Sequence, residues 1–353
     1  MSQYFASERR TLKAYVPGEQ PQDRSYIKLN TNESPFPPSP GVREAVARET
    51  EKLQLYSDPE SAVLTALAAE LYGVAPDQVL MTNGSDEILN FAFMAFCGPE
   101  EPAAFPDITY GFYSVIGDLN HVPWEQIPLK EDFSIDYRDY CGIGKTIFLA
   151  NPNAPTGLML SNGEIEEILK SNPRNVVVID EAYGDFAGSS AIPLLKKYDN
   201  LLITRTFSKS YSMAGARLGL GIGSRELIQD LNTIKYSTNP YNVNRMTAAA
   251  GIAALKENEY YMDHCKVICK NRENTRKKLL NLDFQVLKSN SNFLFARSSR
   301  IGGQELYEKL KQKGILVRHF DSPRIRDFIR VTIGTEAQME AFLQAVTEIL
   351  KGK

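Results

Sequence analysis

Long apolar runs, separated by polar turns and helical patterns, dominate the middle of the chain. The runs KTIFLA, NVVVID and NLLITRTF are continuous and do not alternate with polar residues. Continuous runs of this length predict strands that are buried on both faces, as in a parallel sheet covered by helices. Because helical patterns lie between the runs, we predict an α/β domain with a mostly parallel, doubly wound sheet.

The patterns on either side of this segment are different. Two amphipathic helices are predicted before it, one beginning near Pro40 and one ending at Gly73. The C-terminal third reads as one long helical stretch, followed by short strands and further helices. We therefore predict a large domain over residues 41–240, and a smaller α+β domain formed by residues 241–353 together with an N-terminal arm, 1–40.

Five predicted strands each run directly into a polar loop. In a doubly wound sheet, ligands bind outside the carboxyl ends of the strands. The five loops are therefore expected to meet at one ligand site. They are TNGSDE, PDITYGFY, NPNAPTG, DEAY and TFSKSY.

Composition and charge exclude several classes of protein. The chain has 353 residues, of which 43% are hydrophobic and 24% are charged, and its formal net charge is -3. This is ordinary globular composition without a basic block, so a nucleic-acid partner is not expected. The apolar stretches are too short to span a membrane, and the N-terminus lacks the apolar core of a signal peptide. We expect a soluble, cytoplasmic protein.

The four cysteines, at positions 97, 141, 265 and 269, are too few and too scattered for a disulfide framework. His264 beside Cys265 leaves a metal cluster open as an alternative, but no second pair of ligands accompanies it. We expect buried thiols and no bound metal.

Asp180 and Lys209 follow two successive apolar strands and suggest a specific chemistry. Asp180 ends the run VVVID, so its carboxylate is expected to be partly buried and to need a partner. A helix cap is the alternative role. A lysine at such a site can form a Schiff base with an aldehyde cofactor. Sites for pyridoxal phosphate combine this lysine with an Asp or Arg on the ring nitrogen, and Asp180 would keep that nitrogen protonated. Tyr183 could then donate to the phenolic oxygen of the ring.

The turn NGSDE is a candidate for the phosphate of such a cofactor. It lies between a predicted strand and a predicted helix, so the amides of Gly84, Ser85 and Asp86 would form an anion-binding helix N-terminus. An ordinary helix cap by Ser85 or Asp86 is the alternative.

Further phosphate ligands are available near Lys209. Thr206 and Ser208 offer hydroxyl groups, and Arg217 offers a fork of donors. Tyr110 could stack on the ring or could belong to the core. The glycines of RLGLGIG lack the GxGxxG spacing, which argues against a nicotinamide enzyme.

These residues resemble those of the fold type I aminotransferases, which use pyridoxal phosphate. The resemblance runs from about Tyr15 to Thr335. It implies an aspartate-aminotransferase-like fold and an exchange of amino groups between L-histidinol phosphate and 2-oxoglutarate. The lysine segment is specific to the superfamily, whereas LNTNESP and IRVTIGT point to the histidinol-phosphate aminotransferase branch. The full set of similar motifs is LNTNESPFPPSP, YSDPE, NGSDEIL, TYGFY, NPNAPTG, DEAY, RTFSKSYSMAGARLG, NFLF, GILVRHF and IRVTIGT.

The resemblance also implies a role for each site residue. Lys209 binds the cofactor covalently and carries protons, and Asp180 and Tyr183 hold the ring. Tyr56 reaches the cofactor phosphate of the other subunit, which implies a homodimer. The remaining residues are Tyr110 on the ring; Ser85, Asp86, Thr206, Ser208 and Arg217 on the phosphate; and Arg330, Arg318 and Tyr15 on the acidic end of the substrate.

One departure and two alternatives remain open. Ala154 stands where the family has an asparagine that bonds the phenolic oxygen of the ring, so either Asn153 takes over or the bond is missing. An aromatic aminotransferase or a threonine-phosphate decarboxylase would use the same scaffold. A binding module that kept the fold and lost catalysis is the alternative from another class.

Overall fold

The computed structural model describes residues 2–352, which form ten α-helices and thirteen strands. The helices are α1 Pro40–Glu49, α2 Ala62–Tyr72, α3 Ser85–Phe96, α4 Phe112–Leu119, α5 Asn162–Ser171, α6 Arg225–Thr238, α7 Arg245–Lys256, α8 Asn258–Leu280, α9 Gly303–Gln312 and α10 Glu336–Lys351. The strands are β1 Ile27–Lys28, β2 Val79–Thr82, β3 Ala103–Pro106, β4 Trp124–Ile127, β5 Thr146–Ala150, β6 Val177–Asp180, β7 Leu201–Thr206, β8 Gly219–Ile222, β9 Phe284–Val286, β10 Phe293–Ser298, β11 Ile315–Leu316, β12 Arg318–His319 and β13 Phe328–Thr332.

The large sheet has seven strands in the order β2-β8-β7-β6-β5-β3-β4. Only β8 runs antiparallel to its neighbours, β7 and β2. The prediction of a mostly parallel sheet in an α/β domain is therefore confirmed. Because β2 and β7 both oppose β8, β2 points the same way as β7. The carboxyl end of β2 consequently lies at the same edge as the carboxyl ends of β3, β5, β6 and β7.

The central strands are buried on both faces, which explains their continuous apolar runs. On β6, Ile179 points into a core that is shared with α2, α5 and α7, whereas Val178 points into a second core with α3, α4 and α6. Both side chains are fully buried. Since successive strand residues point to opposite faces, only an unbroken apolar run can fill both cores.

The smaller sheet has four antiparallel strands in the order β12-β13-β10-β9. Its core is shared with α8, α9 and α10. The N-terminal arm joins this part of the molecule through β1, which pairs with β11 in parallel. On the other hand, α7 packs on α1, and Ala250 and Ala254 of α7 lie in the core of the large sheet. The domain boundary near residue 240 stays a prediction.

The long helical stretch expected in the C-terminal third is in fact two helices, α7 and α8. Glu257 separates them with a non-helical backbone (φ -105°, ψ 32°). The carboxylate of Glu257 packs so closely on Gly41 that a Cβ at position 41 would lie 2.5 Å from Glu257 Oε1. The break lets α7 contact α1 while α8 contacts β9 and α10. Periodicity alone did not reveal the break because both helices present apolar residues.

Within residues 2–352, none of the helices combines the length and the apolar character that crossing a membrane requires.

Candidate active site

A cavity of about 220 Å³ opens at the carboxyl ends of the parallel strands. All five polar loops contribute to its wall, as the sequence predicts. The lining residues that were expected from the sequence are Ser85, Asp86, Tyr110, Asp180, Tyr183, Thr206, Ser208, Lys209 and Arg217.

Lys209 lies in the loop after β7 and lines this cavity. Its Nζ donates a hydrogen bond to the backbone oxygen of Thr31, at 3.2 Å. Burial, with a further contribution from the positive charge of Arg330, lowers the pKa of Lys209 to about 8. A lysine with this pKa has a substantial neutral fraction near neutral pH, and the neutral amine is the nucleophile that an aldehyde needs.

Asp180, the last residue of β6, forms the floor of the cavity and is 4% exposed. Its Oδ1 accepts hydrogen bonds from Thr204 Oγ1 at 2.9 Å and from the amide of Ala182 at 3.1 Å. Its Oδ2 accepts from the hydroxyl of Tyr113 at 2.9 Å. The helix-cap alternative is wrong, because the short helix that follows, Gly184–Phe186, has Tyr183 as its N-cap residue and no side-chain cap, and the bond to Ala182 belongs to the turn before it.

No Lys, Arg or His nitrogen among residues 2–352 forms an ion pair with Asp180. Burial raises the pKa of this carboxyl, while the hydrogen bonds from Thr204 and Tyr113 oppose the rise. A buried carboxylate with donors but no cation suits a ligand that brings its own positive charge. A protonated pyridine nitrogen is such a group.

Sequence reasoning missed Tyr113 and Thr204. Thr204 had a readable signal, since it is a polar residue inside the apolar run of β7 and lies two positions before Thr206. Tyr113 had none, because its fully buried ring resembles an ordinary core aromatic on α4.

Tyr183 follows β6 and lines the cavity close to Asp180. Its hydroxyl oxygen accepts a hydrogen bond from Asn32 Nδ2 at 2.8 Å. The hydroxyl proton therefore remains available for a ligand oxygen. Asn32 was also missed. It adopts a left-handed backbone (φ 57°), which asparagine tolerates better than most residues.

The N-terminus of α3 faces the cavity without a side-chain cap. Gly84 is the N-cap residue (φ 80°), and no side chain among the described residues caps the helix. The alternative that Ser85 or Asp86 caps the helix is therefore wrong. Free amides at a helix N-terminus, together with the helix dipole, favour an anion.

Arg217 holds its guanidinium over this helix N-terminus. It donates to Asp86 Oδ2 at 3.0 Å and to Ser208 Oγ at 3.4 Å. Its backbone is left-handed (φ 55°), an uncommon conformation for a residue with a side chain. A Cβ at Gly84 would lie 2.6 Å from an Arg217 nitrogen and would displace the guanidinium from this position. Tyr110 donates to the other oxygen of Asp86 at 2.8 Å.

These residues fit pyridoxal phosphate. Lys209 supplies a weakly basic amine for its aldehyde, and Asp180 supplies an anion without a cation for its ring nitrogen. The free amides of α3 and the guanidinium of Arg217 suit its phosphate. Thr206 and Ser208 also lie in this wall, and the amide of Ser208 donates to Thr206 Oγ1 at 3.1 Å.

Asn153 does not replace the asparagine that is missing at Ala154. Asn153 is 1% exposed, and its Oδ1 accepts from Thr109 Oγ1 at 2.7 Å. Its Nδ2 donates to the backbone oxygen of Ile108 at 2.9 Å. The Asn153 amide is thus fully used by Thr109 and Ile108, and Ala154 presents only a methyl group to the cavity. Tyr183 is left as the donor for a phenolic oxygen.

A second cavity, of about 360 Å³, continues from the first. Tyr15, Arg318 and Arg330 line it, as expected. The residues that line both cavities are Thr31, Tyr110, Ala154, Tyr183 and Lys209.

The two arginines are register partners on β12 and β13. Arg330 donates to the backbone oxygen of Asn30 at 3.0 Å, but its buried Nε has no partner among the described residues. A buried donor left without a partner is costly, which suits a site that binds an anion. Arg318 donates to the backbone oxygens of Val16 and Pro17, both at 3.2 Å.

Tyr56 does not line the cavities of its own chain. It is 79% exposed and stacks on Tyr241 with 4.5 Å between the ring centroids. Its role at the site of a second subunit stays a prediction.

The described residues include no group of three or more His, Cys, Asp and Glu side chains arranged to hold a metal ion. Cys265 is buried, and burial raises the pKa of its thiol. His264 stacks on Phe36 with 4.0 Å between the ring centroids.

Comparison with known proteins gives consistent matches over the whole chain. The family model "Aminotransferase class I and II" matches residues 24–346. The histidinol-phosphate aminotransferase of Brachyspira hyodysenteriae is 49% identical over 353 residues, which cover 99% of this chain and 100% of that protein. The histidinol-phosphate aminotransferase of Clostridium acetobutylicum is 44% identical over 351 residues, with 99% and 100% covered.

A solved structure has the same fold. It is the histidinol-phosphate aminotransferase of Sinorhizobium meliloti in complex with pyridoxal-5'-phosphate, with a TM-score of 0.86 and 23% identity. The match covers 93% of this chain and 92% of that one.

Lys209 is expected to titrate near pH 8 in the cofactor-free protein. Only the neutral amine attacks an aldehyde, so the rate of attachment of a small aldehyde, trapped with borohydride, should rise through about pH 8 and then level off. Peptide mapping assigns the rate to this lysine. Lys170 is the control, because the hydrogen bond from its ammonium to Glu167 raises its pKa. A Lys209 rate that still climbs steeply above pH 10 would contradict this expectation.

Proposed function

Since this chain belongs to the class I and II aminotransferases, we propose that it transfers an amino group from L-histidinol phosphate to 2-oxoglutarate, using pyridoxal phosphate. The products are imidazole-acetol phosphate and L-glutamate, and the reaction serves histidine biosynthesis. One observation carries the proposal: Lys209, with a lowered pKa, lines the same cavity as the cation-free carboxylate of Asp180 and an uncapped helix N-terminus. Relatives with this name, 49% and 44% identical over nearly the whole chain, support the substrate.

Different residues around the cavity would hold the ring and the phosphate of the cofactor. When bound, pyridoxal phosphate supplies an aldehyde that combines with amines and a protonated ring that withdraws electrons from the neighbouring carbon. Asp180 binds the ring nitrogen, Tyr183 donates to the phenolic oxygen, and Tyr110 covers the ring. The phosphate would be held by the amides of Ser85 and Asp86, the hydroxyls of Thr206 and Ser208, and the guanidinium of Arg217. The amide of Gly84, which the sequence also suggested, instead donates to the backbone oxygen of Thr82 at 2.9 Å.

Lys209 Nζ is the group that moves protons. With a pKa of about 8, the neutral amine can accept a proton from the substrate carbon, and the ammonium that results can return it. The 3.2 Å bond to the backbone of Thr31 keeps Nζ at the junction of the two cavities.

Arg330 and Arg318 bind the anionic end of both substrates. That end is a phosphate in histidinol phosphate and a carboxylate in 2-oxoglutarate. A planar guanidinium binds either anion by donating paired hydrogen bonds to it, and the unpartnered Nε of Arg330 is one donor that is free for this use. Tyr15 lines the same cavity and assists.

The alternatives considered from the sequence are not favoured. An aromatic aminotransferase or a threonine-phosphate decarboxylase would share the scaffold, but the relatives of 49% and 44% identity bear neither name. A module without catalysis would have no need for a buried carboxylate facing a weakly basic lysine.

A cytoplasmic homodimer is part of this proposal, as is the division into a large domain, 41–240, and a small one, 1–40 with 241–353. The loop around Tyr56 supports a dimer, because it also exposes Leu53 and Leu55, which are 58% and 55% accessible. Contiguous exposed apolar side chains mark contact surfaces.

Asp180→Asn should lower turnover more than it lowers donor affinity. The amide cannot stabilise a protonated ring nitrogen as a carboxylate does, and hydrogen bonds to charged groups contribute about 1.5–3 kcal/mol, so kcat should fall roughly 10- to 100-fold. Steady-state kinetics with a cofactor-saturated variant measures this. A variant with near-normal kcat would show that Asp180 only supports the backbone turn at Ala182.

Binding of both substrates should depend strongly on the two arginines. Arg330→Ala should weaken both substrates by roughly 30-fold or more, since loss of a partner from a buried charged bond costs about 2 kcal/mol or more. Arg318→Ala should weaken binding of the phosphate donor more than that of 2-oxoglutarate, because a dianion can use two guanidinium groups.

The decisive comparison is kcat/KM for histidinol phosphate against histidinol in the wild type, which should be much higher for the phosphorylated donor. Equal values would favour an aromatic aminotransferase.

Hybrid dimers should recover activity if Tyr56 serves the partner's site. Mixing Lys209→Ala with Tyr56→Ala subunits places both lesions in one site and leaves the other site intact. Activity above both parents is expected after subunit exchange. The matched control mixes Lys209→Ala with Asp180→Asn, which leaves one lesion in each site and gives no gain. A fully active monomer at high dilution would refute a shared site.

A further inference from the structure

The two substrates of the proposed reaction pose a recognition problem at the end that faces away from the arginines. Histidinol phosphate ends in an imidazole ring whose N–H is a hydrogen-bond donor. Glutamate and 2-oxoglutarate end in a second carboxylate, which only accepts. One pocket must therefore offer an acceptor to one substrate and a cation to the other. The inference below rests on the proposed function.

Three carboxylates line the cavity that contains Lys209, and two of them are fully engaged. Asp180 accepts hydrogen bonds on both oxygens, from Thr204 and Tyr113. Asp86 also accepts on both oxygens, from Tyr110 and from Arg217.

Glu33 is different, because only its Oε1 is engaged. This oxygen accepts from Lys28 Nζ at 2.7 Å. Among the described residues, Oε2 has no partner within hydrogen-bonding distance. Glu33 is therefore the lining carboxylate that has a free oxygen for a ligand.

The position of this pair suits contact with a substrate. Glu33 lies two residues after Thr31, whose backbone oxygen binds Lys209 Nζ. Burial lowers the pKa of Lys209, and the negative charge of Glu33 opposes that shift, so the carboxylate acts on the amine across the cavity. The side chains of Lys28 and Glu33 are 30% and 38% exposed. Both are therefore partly accessible to solvent, and Glu33 also lines the cavity, with Lys28 Nζ 2.7 Å from its Oε1.

We propose that the Lys28–Glu33 pair binds the end of each substrate that faces away from the arginines. The Glu33 carboxylate accepts a hydrogen bond from the imidazole N–H of histidinol phosphate. The Lys28 ammonium, which has donors beyond the one used by Glu33, binds the side-chain carboxylate of glutamate and 2-oxoglutarate. A partly exposed ion pair contributes little to stability. Either side chain can therefore leave its partner and bind a substrate with little loss of free energy.

The test measures the two half-reactions separately by stopped-flow absorbance of the holoenzyme. The donors are histidinol phosphate, phenylalaninol phosphate and L-glutamate. Phenylalaninol phosphate keeps the amine and the phosphate but has no ring N–H. Glu33→Ala should raise the apparent Kd of histidinol phosphate about tenfold, as expected for loss of a charged hydrogen bond, and leave that of phenylalaninol phosphate unchanged. Glu33→Gln, which retains an acceptor oxygen, should recover part of the loss.

Lys28→Met should give the opposite pattern. The apparent Kd of L-glutamate should rise about tenfold, and that of histidinol phosphate should change little. The matched controls are Glu167→Gln and Lys170→Met, which alter an exposed ion pair of 2.8 Å on α5. They should leave all three donors unaffected. Thermal unfolding and the cofactor absorbance band show that each variant is folded and loaded.

The outcomes separate this inference from the proposed function. A wild-type protein that reacts with L-glutamate but not with histidinol phosphate would overturn the proposed function, and this inference with it. A wild-type protein that uses both, with Glu33→Ala weakening histidinol phosphate and phenylalaninol phosphate equally or not at all, would overturn only the role of Glu33. An unchanged Kd of L-glutamate in Lys28→Met would overturn the role of Lys28.

Discussion

A buried negative charge without a cation is the constraint around which the site is built. Asp180 ends a strand that is covered on both faces, so its carboxylate is almost completely shielded from solvent. Thr204, Tyr113 and the amide of Ala182 supply donors, yet burial still raises the pKa of this carboxyl. A charge that is held but not neutralised by the chain favours a cationic ligand. In the proposed function, the ring nitrogen of pyridoxal phosphate would meet that need and would in turn be kept protonated by it.

The lysine, the arginine and the helix N-terminus of the site meet at the carboxyl edge of the same sheet. Lys209 follows β7, next to β6, so the amine and the carboxylate line one cavity although 28 positions separate 180 from 209 in the chain. The reversal of β8 brings Arg217 beside the N-terminus of α3, where an anion is favoured. A Cβ at Gly219 would lie 2.4 Å from the amide nitrogen of Ser85, so glycine is required for this approach. The left-handed backbone of Arg217 shows that the local fold holds this cation in an unfavourable conformation.

The sequence predicted the large sheet and most of the cavity wall because both depend on local patterns. Continuous apolar runs mark strands buried on two faces, and polar loops after them mark the edge where ligands bind. The partners of the chemical groups were harder to predict. Tyr113 and Asn32 reach Asp180 and Tyr183 from elements that are distant along the chain. The break at Glu257 was missed because helical patterns with apolar residues continue on both sides of it.

The central claim is that Asp180 holds a protonated ring nitrogen. The most direct measurement is the nitrogen NMR shift of pyridoxal phosphate labelled with ¹⁵N in its ring and bound to the protein, recorded from pH 6 to pH 9. The account predicts the shift of a protonated pyridine throughout this range in the wild type, and that of a neutral pyridine in Asp180→Asn. A neutral ring nitrogen in the wild type at pH 7, or a protonated one in both proteins, would contradict the account.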